Sequence, residues 1–154
     1  MNISYQANGT VSVNTKNQVI NLGSEVKIGS YTVPGAGEYD VAAIQCEVTA
    51  LSRGLAYFIH TEDLTVTLLS VINPEVAKLD DAASTNILVV YVRSDDQPEA
   101  LKPILKILEP SYVFLLGASP EFRLSLGLPD YEGTTLKVTR SGLPLEGTFL
   151  VNPA

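Results

Sequence analysis

Apolar and polar residues alternate along the first half of the chain, and the alternation stops in the second half. Ile3, Tyr5 and Ala7 alternate with polar neighbours, Asn8 and Gly9 follow, and Val11 and Val13 resume the pattern. A period of two belongs to a half-buried strand, and Asn-Gly suits a type I′ turn, so this stretch predicts a hairpin. A turn at Asn14–Asn17 leads into a strand over 18–22, and beyond Leu22–Ser24 the residues Val26, Ile28, Tyr31 and Val33 read as further strand. Pro34 to Gly37 predicts a loop, and its lone Gly-x-Gly lacks the third glycine and the following helix of a dinucleotide site. Val41 to Ala50 alternates cleanly: Ile44, Cys46, Val48 and Ala50 share one face, and Gln45, Glu47 and Thr49 the other. With turns at Leu51–Gly54 and Thr61–Asp63, residues 41–71 predict a three-stranded meander. Pro74 suits the first turn of a short helix ending at Leu79, and the polar run from Asp80 to Asn86 predicts a loop between the halves.

Ile87 to Val92 is continuously apolar, as expected of a strand covered on both faces. Beyond it, Asp96 and Glu99 have the spacing of a capping box, and Leu101, Ile104, Leu105 and Leu108 fall on one helical face. Pro103 interrupts that helix, which must kink or begin near Lys102. Tyr112 to Leu116 predicts a second buried strand. Ser119, Pro120 and Glu121 read as the N-cap, first residue and acidic first turn of a short helix over 120–125. Strands near Leu136–Val138 and Phe149–Val151 follow. The predicted fold class is α+β: an antiparallel β-rich N-terminal half of hairpins and a meander, then a β-α-β-α-β-β C-terminal half. One α+β domain over 1–154 is expected, with a subdomain split near 80–86 as the alternative.

Composition narrows the function classes. A chain of 154 residues, 45% hydrophobic, can bury one core without staples, and the single cysteine, Cys46, allows no disulfide within the chain. The longest apolar run, Ile87–Val92, falls far short of the roughly 20 residues that span a bilayer. Ten basic residues against seventeen acidic ones, net −7, argue against nucleic acid and anionic membrane as partners. A soluble, cytoplasmic protein is expected, with a virion or other large assembly as the alternative.

Candidate chemistry is sparse. One Cys and one His cannot supply a Cys/His zinc set, so no metal and no cofactor is expected, with carboxylate-only calcium or magnesium sites left open. His60 lies on the strand face away from Tyr57 and Ile59, beside Phe58, with no nucleophile signature around it. Gly117 to Ser119 lacks the glycine that completes a nucleophile elbow, and Cys46 alternates with core residues like a small hydrophobe. Asp80 and Asp81 read as a solvated loop. No catalytic residue is assigned. Asp95, Asp96, Ser119 and Arg123 are the candidate ligand-binding residues, because they follow the two buried strands and open α/β sheets seat ligands beyond the carboxyl ends of strands. The charge content of 18% is low, and several short strands leave edges that need covering. The resulting expectation is a non-catalytic assembly or protein-interaction protein, self-associating or bound to a protein partner in a larger complex. The alternative is a small-ligand or anion-binding module, or an enzyme, working at the crevice near Asp95, Asp96 and Ser119.

Overall fold

The computed structural model describes residues 1–153. The chain forms β1 (Asn2–Tyr5), β2 (Val11–Asn14), β3 (Val19–Leu22), β4 (Val26–Ile28) and β5 (Tyr31–Thr32), then β6 (Gly37–Val41), β7 (Ile44–Ala50), β8 (Leu55–Thr61) and β9 (Leu64–Leu69). Two 3₁₀ turns, Pro74–Lys78 and Asp80–Ser84, lead to β10 (Ile87–Tyr91), α1 (Pro98–Leu108), β11 (Tyr112–Leu116), α2 (Pro120–Ser125), β12 (Thr135–Lys137) and β13 (Phe149–Val151). The predicted α+β class and the β-α-β-α-β-β order of the second half are both present. The strands form two sheets, in the orders β12-β1-β2-β3-β4-β5 and β13-β11-β10-β9-β8-β7-β6.

Three layers follow from which faces are apolar. Ile3, Val13 and Ile20 of the first sheet pack against Ile44, Cys46, Ile59, Val66, Val89 and Phe114 of the second. The opposite face of the second sheet carries Phe58, Leu69, Leu88, Val90 and Leu115, and these meet Leu101, Ile104, Leu105 and Leu108 of α1 and Phe122 of α2. The strands β10 and β11 are therefore covered on both sides, which is why their sequences do not alternate. They pair parallel to each other, and β10 also runs parallel to β9. The turn after β11 depends on Gly117: its φ is +80°, and a Cβ there would lie 2.8 Å from the Val92 carbonyl oxygen.

Several local expectations are corrected. The first hairpin does not use Asn8-Gly9 as a type I′ pair. Gly9 N–H donates to the Gln6 carbonyl, and in this turn only Gly9 has positive φ, so the connection is a longer loop closed by a left-handed glycine. The alternation from Val41 to Ala50 hides a turn. Ala42 and Ala43 have φ of +52° and +62°, and they join β6 to β7, so a fourth strand precedes the three predicted over 41–71, which are present as β7, β8 and β9. Alanine gives no sign of such a turn because its Cβ opposes it. Ala42→Asn with Ala43→Gly should therefore stabilise the chain by about 1–2 kcal/mol, read from denaturant midpoints. A neutral or destabilising result would contradict the observed backbone.

The polar stretch 80–86 contains a 3₁₀ turn rather than an irregular loop. The capping box at α1 does not form: Gln97 is the N-cap without a side-chain bond, and the Asp96 carboxylate accepts from Arg93 N–H at 2.7 Å. Pro103 stays inside α1 at an exposed position. The last two strands do not pair with each other. β12 crosses to β1 of the first sheet, and β13 lies parallel beside β11. No helix among the described residues is long and apolar enough to cross a membrane.

Candidate metal centre

The second sheet gathers polar side chains at the end where α1 does not cover it. Register sets Glu38 opposite Glu47 and Asp40 opposite Gln45 across β6 and β7, and Gln45 opposite His60 across β7 and β8. Like charges opposed across strands cost stability, so the Glu38–Glu47 pair has no structural advantage. A third element closes over this face. In the 3₁₀ turn Asp80–Ser84, Ala82 is buried in the helix-side core. Behind the turn, the buried hydroxyls of Thr85 and Thr67 meet at 2.8 Å, and Asn86 Oδ1 accepts from Thr65 N–H at 2.8 Å. These ties fix the segment to β9 and carry Asp81 to the polar face.

Glu47, His60 and Asp81 thus come together, each half-buried, with one potential ligand atom from each lying within 4.8 Å of the others. His60 Nδ1 is 3.0 Å from the Thr65 hydroxyl. With that nitrogen engaged, Nε2 is the one left for a ligand, and a fixed imidazole of this kind is typical of metal-binding histidines. The Glu47 carboxyl is raised from its ordinary value to about 7, first by its hydrogen bond to Asp81, then by burial and by the charges of Asp81, Glu38 and Asp80. No lysine or arginine contributes. Two carboxylates in contact need a shared proton or a cation between them.

The donor set decides what this centre can hold. Cys46 is buried on the opposite face of β7, and burial pushes its thiol up to about 12. It therefore offers no thiolate, and native Cys46 should resist disulfide reagents at pH 8 while reacting fully after unfolding. Rapid labelling of the native chain would show that its burial is incomplete. One imidazole with two carboxylates cannot make a histidine-rich or thiolate zinc site, but it does suit a single divalent ion with open positions for water or substrate.

The candidate ligand residues fall elsewhere. Asp96 and Ser119 line one depression of about 300 Å³ with Arg93, Gly117 and Phe122, beyond the ends of β10 and β11. Their side chains are occupied locally: Asp96 accepts from Arg93 N–H and Ser119 from Phe122 N–H. Asp95 is exposed and does not line it. Arg123 turns toward β11 and β13, where its Nη2 donates to the Leu115 carbonyl at 2.8 Å. Asp81 was the residue that sequence alone misplaced, since nothing local shows a turn folding back over β7.

No family model matches the sequence, and a search of curated proteins finds no match. Among solved structures, the chain is similar to the crystal structure of a proposed Zn-dependent hydrolase of the metallo-beta-lactamase superfamily from Thermotoga maritima. The similarity covers 98% of this chain and 98% of that one, with a TM-score of 0.70 and 14% sequence identity. The likeness is one of fold. Together with the Glu47–His60–Asp81 cluster it overturns the expectation of a non-catalytic, structural or assembly protein. That expectation rested on the absence of catalytic motifs along the sequence, and this cluster is assembled from three separate elements.

Proposed function

We propose that the protein is a hydrolase whose centre is Glu47, His60 and Asp81 holding one divalent metal ion. The observation that carries this reading is the convergence of one oriented imidazole and two carboxylates on a fold shared with a proposed Zn-dependent hydrolase. An ion held there would supply a Lewis acid and a bound water acidified toward neutrality. The chain's own residues do the rest. Thr65 holds the His60 ring, and Glu47 and Asp81, which share a proton in the metal-free chain, would release it to hold the ion. Glu38, Asp40 and Asp80 surround the centre with negative charge, which disfavours anionic substrates and favours neutral or cationic ones.

The test is a Zn²⁺ titration of the chelator-treated full chain, followed by calorimetry and by the His60 imidazole resonances. One ion per chain should bind with Kd below about 0.1 mM, shifting His60 and releasing protons. The loaded chain should hydrolyse a p-nitrophenyl ester, and chelation should abolish the activity. Binding that leaves His60 unmoved, or turnover indifferent to chelation, would overturn the proposal.

A further inference from the structure

A second site lies between α2 and the end of β13, built from residues that the metal centre does not use. Arg123 is half-buried and held in one orientation. Its Nη2 donates to the Leu115 carbonyl at 2.8 Å, its Nη1 reaches Asn152 Oδ1 at 3.3 Å, and its guanidinium lies 5.6 Å from the centroid of the Tyr5 ring. Yet it forms no ion pair among the described residues. A guanidinium half withdrawn from water normally finds a carboxylate or phosphate, because its fork of donors matches two oxygens at once. Arg123 is one of the residues lining a depression of about 320 Å³.

Asp130 lines the same depression. Asn152 Nδ2 donates to Asp130 Oδ1 at 2.9 Å while its Oδ1 faces Arg123, so one amide separates the positive group from the negative one. The charges are kept apart instead of neutralising each other. Pro120, Leu124 and Leu128 complete the lining, and Leu124 is 82% exposed although nothing polar compensates it. A pure anion would meet repulsion from Asp130, and a pure cation repulsion from Arg123. A ligand with both charges a few ångströms apart and an apolar body satisfies all of this lining.

We infer that this depression binds a free apolar α-amino acid, its carboxylate on Arg123, its ammonium at Asp130 and its side chain against Leu124 and Leu128. The site lies at the carboxyl ends of the parallel strands β11 and β13, where α/β sheets commonly seat small ligands. It does not depend on the metal centre, so neither proposal falls with the other.

The experiment is an NMR titration of the labelled full chain with L-leucine, N-acetyl-L-leucine and L-leucinamide. These probes carry both charges, only the negative and only the positive. L-leucine should shift the Arg123 Nε–H and the Asn152 side-chain amide, and bind about tenfold more tightly than either derivative. Asp130→Asn, at an exposed position that need not disturb folding, should bring L-leucine down to the level of N-acetyl-L-leucine. Absence of shifts at these two groups, equal binding of the three probes, or unchanged selectivity in Asp130→Asn would each overturn the inference.

Discussion

Tyr5→Phe should destabilise the chain by about 3 kcal/mol, although it removes one oxygen atom and keeps the ring. The Tyr5 ring stays against Phe114, with centroids 5.3 Å apart, so apolar burial changes little. The hydroxyl is what ties the layers. It accepts from Leu115 N–H at 2.9 Å and donates to the Val151 carbonyl at 2.8 Å, joining a residue of the first sheet to two neighbouring strands of the second. Leu115 and Val151 are fully buried, so in the variant a donor and an acceptor lose their partner away from water, each at about 1–3 kcal/mol. A loss below about 0.5 kcal/mol in urea unfolding would mean that water takes over the Leu115 N–H, and water or Arg123 the Val151 carbonyl.

The same substitution has a signature in alkali. Burial raises the Tyr5 hydroxyl above its ordinary 10.0, outweighing the lowering influence of Arg123. A raised acid holds its proton more tightly in the folded chain than in the unfolded one. Its contribution is complete below about pH 10 and is lost as pH rises through the folded value. Tyr5→Phe should remove that part of the alkaline destabilisation, so the stability gap between variant and parent narrows above pH 10.

The architecture was legible in the sequence wherever contacts are local. Alternation placed Cys46 and Glu47 on opposite faces of one strand and His60 beside Phe58, and the structure keeps both placements. The continuous apolar run at Ile87 correctly implied layers on both sides. What the sequence could not show are pairings across long separations. β12, three residues long, finds β1 from the far end of the chain. The Ala42-Ala43 turn is invisible because tertiary pairing, not propensity, forces alanine into positive φ. The cluster of Glu47, His60 and Asp81 failed to appear for the same reason. Glu47 and His60 read as polar positions of two strands, Asp81 as a solvated loop, and a donor count by residue type excluded zinc before geometry could join an imidazole to carboxylates.

That geometry makes a prediction with opposite signs in the presence and absence of metal. His60→Ala should weaken Zn²⁺ binding by at least about a hundredfold, because it removes the one nitrogen donor and leaves two carboxylates that prefer to share a proton. In the metal-free chain, Glu47 is raised from 4.5 to about 7, chiefly by Asp81. The folded chain thus gains from the shared proton at low pH and loses that gain as pH rises from about 4.5 through about 7. Glu47→Gln, whose amide can still donate to Asp81, should flatten this part of the stability profile. With Zn²⁺ bound the slope reverses, since the ion displaces the proton and holds more tightly as pH rises. Thermal midpoints of the parent chain across this range, with chelator and with Zn²⁺, should therefore diverge as pH increases, and those of His60→Ala should not. Parallel profiles would show that the two carboxylates share only a proton and that no cation takes its place.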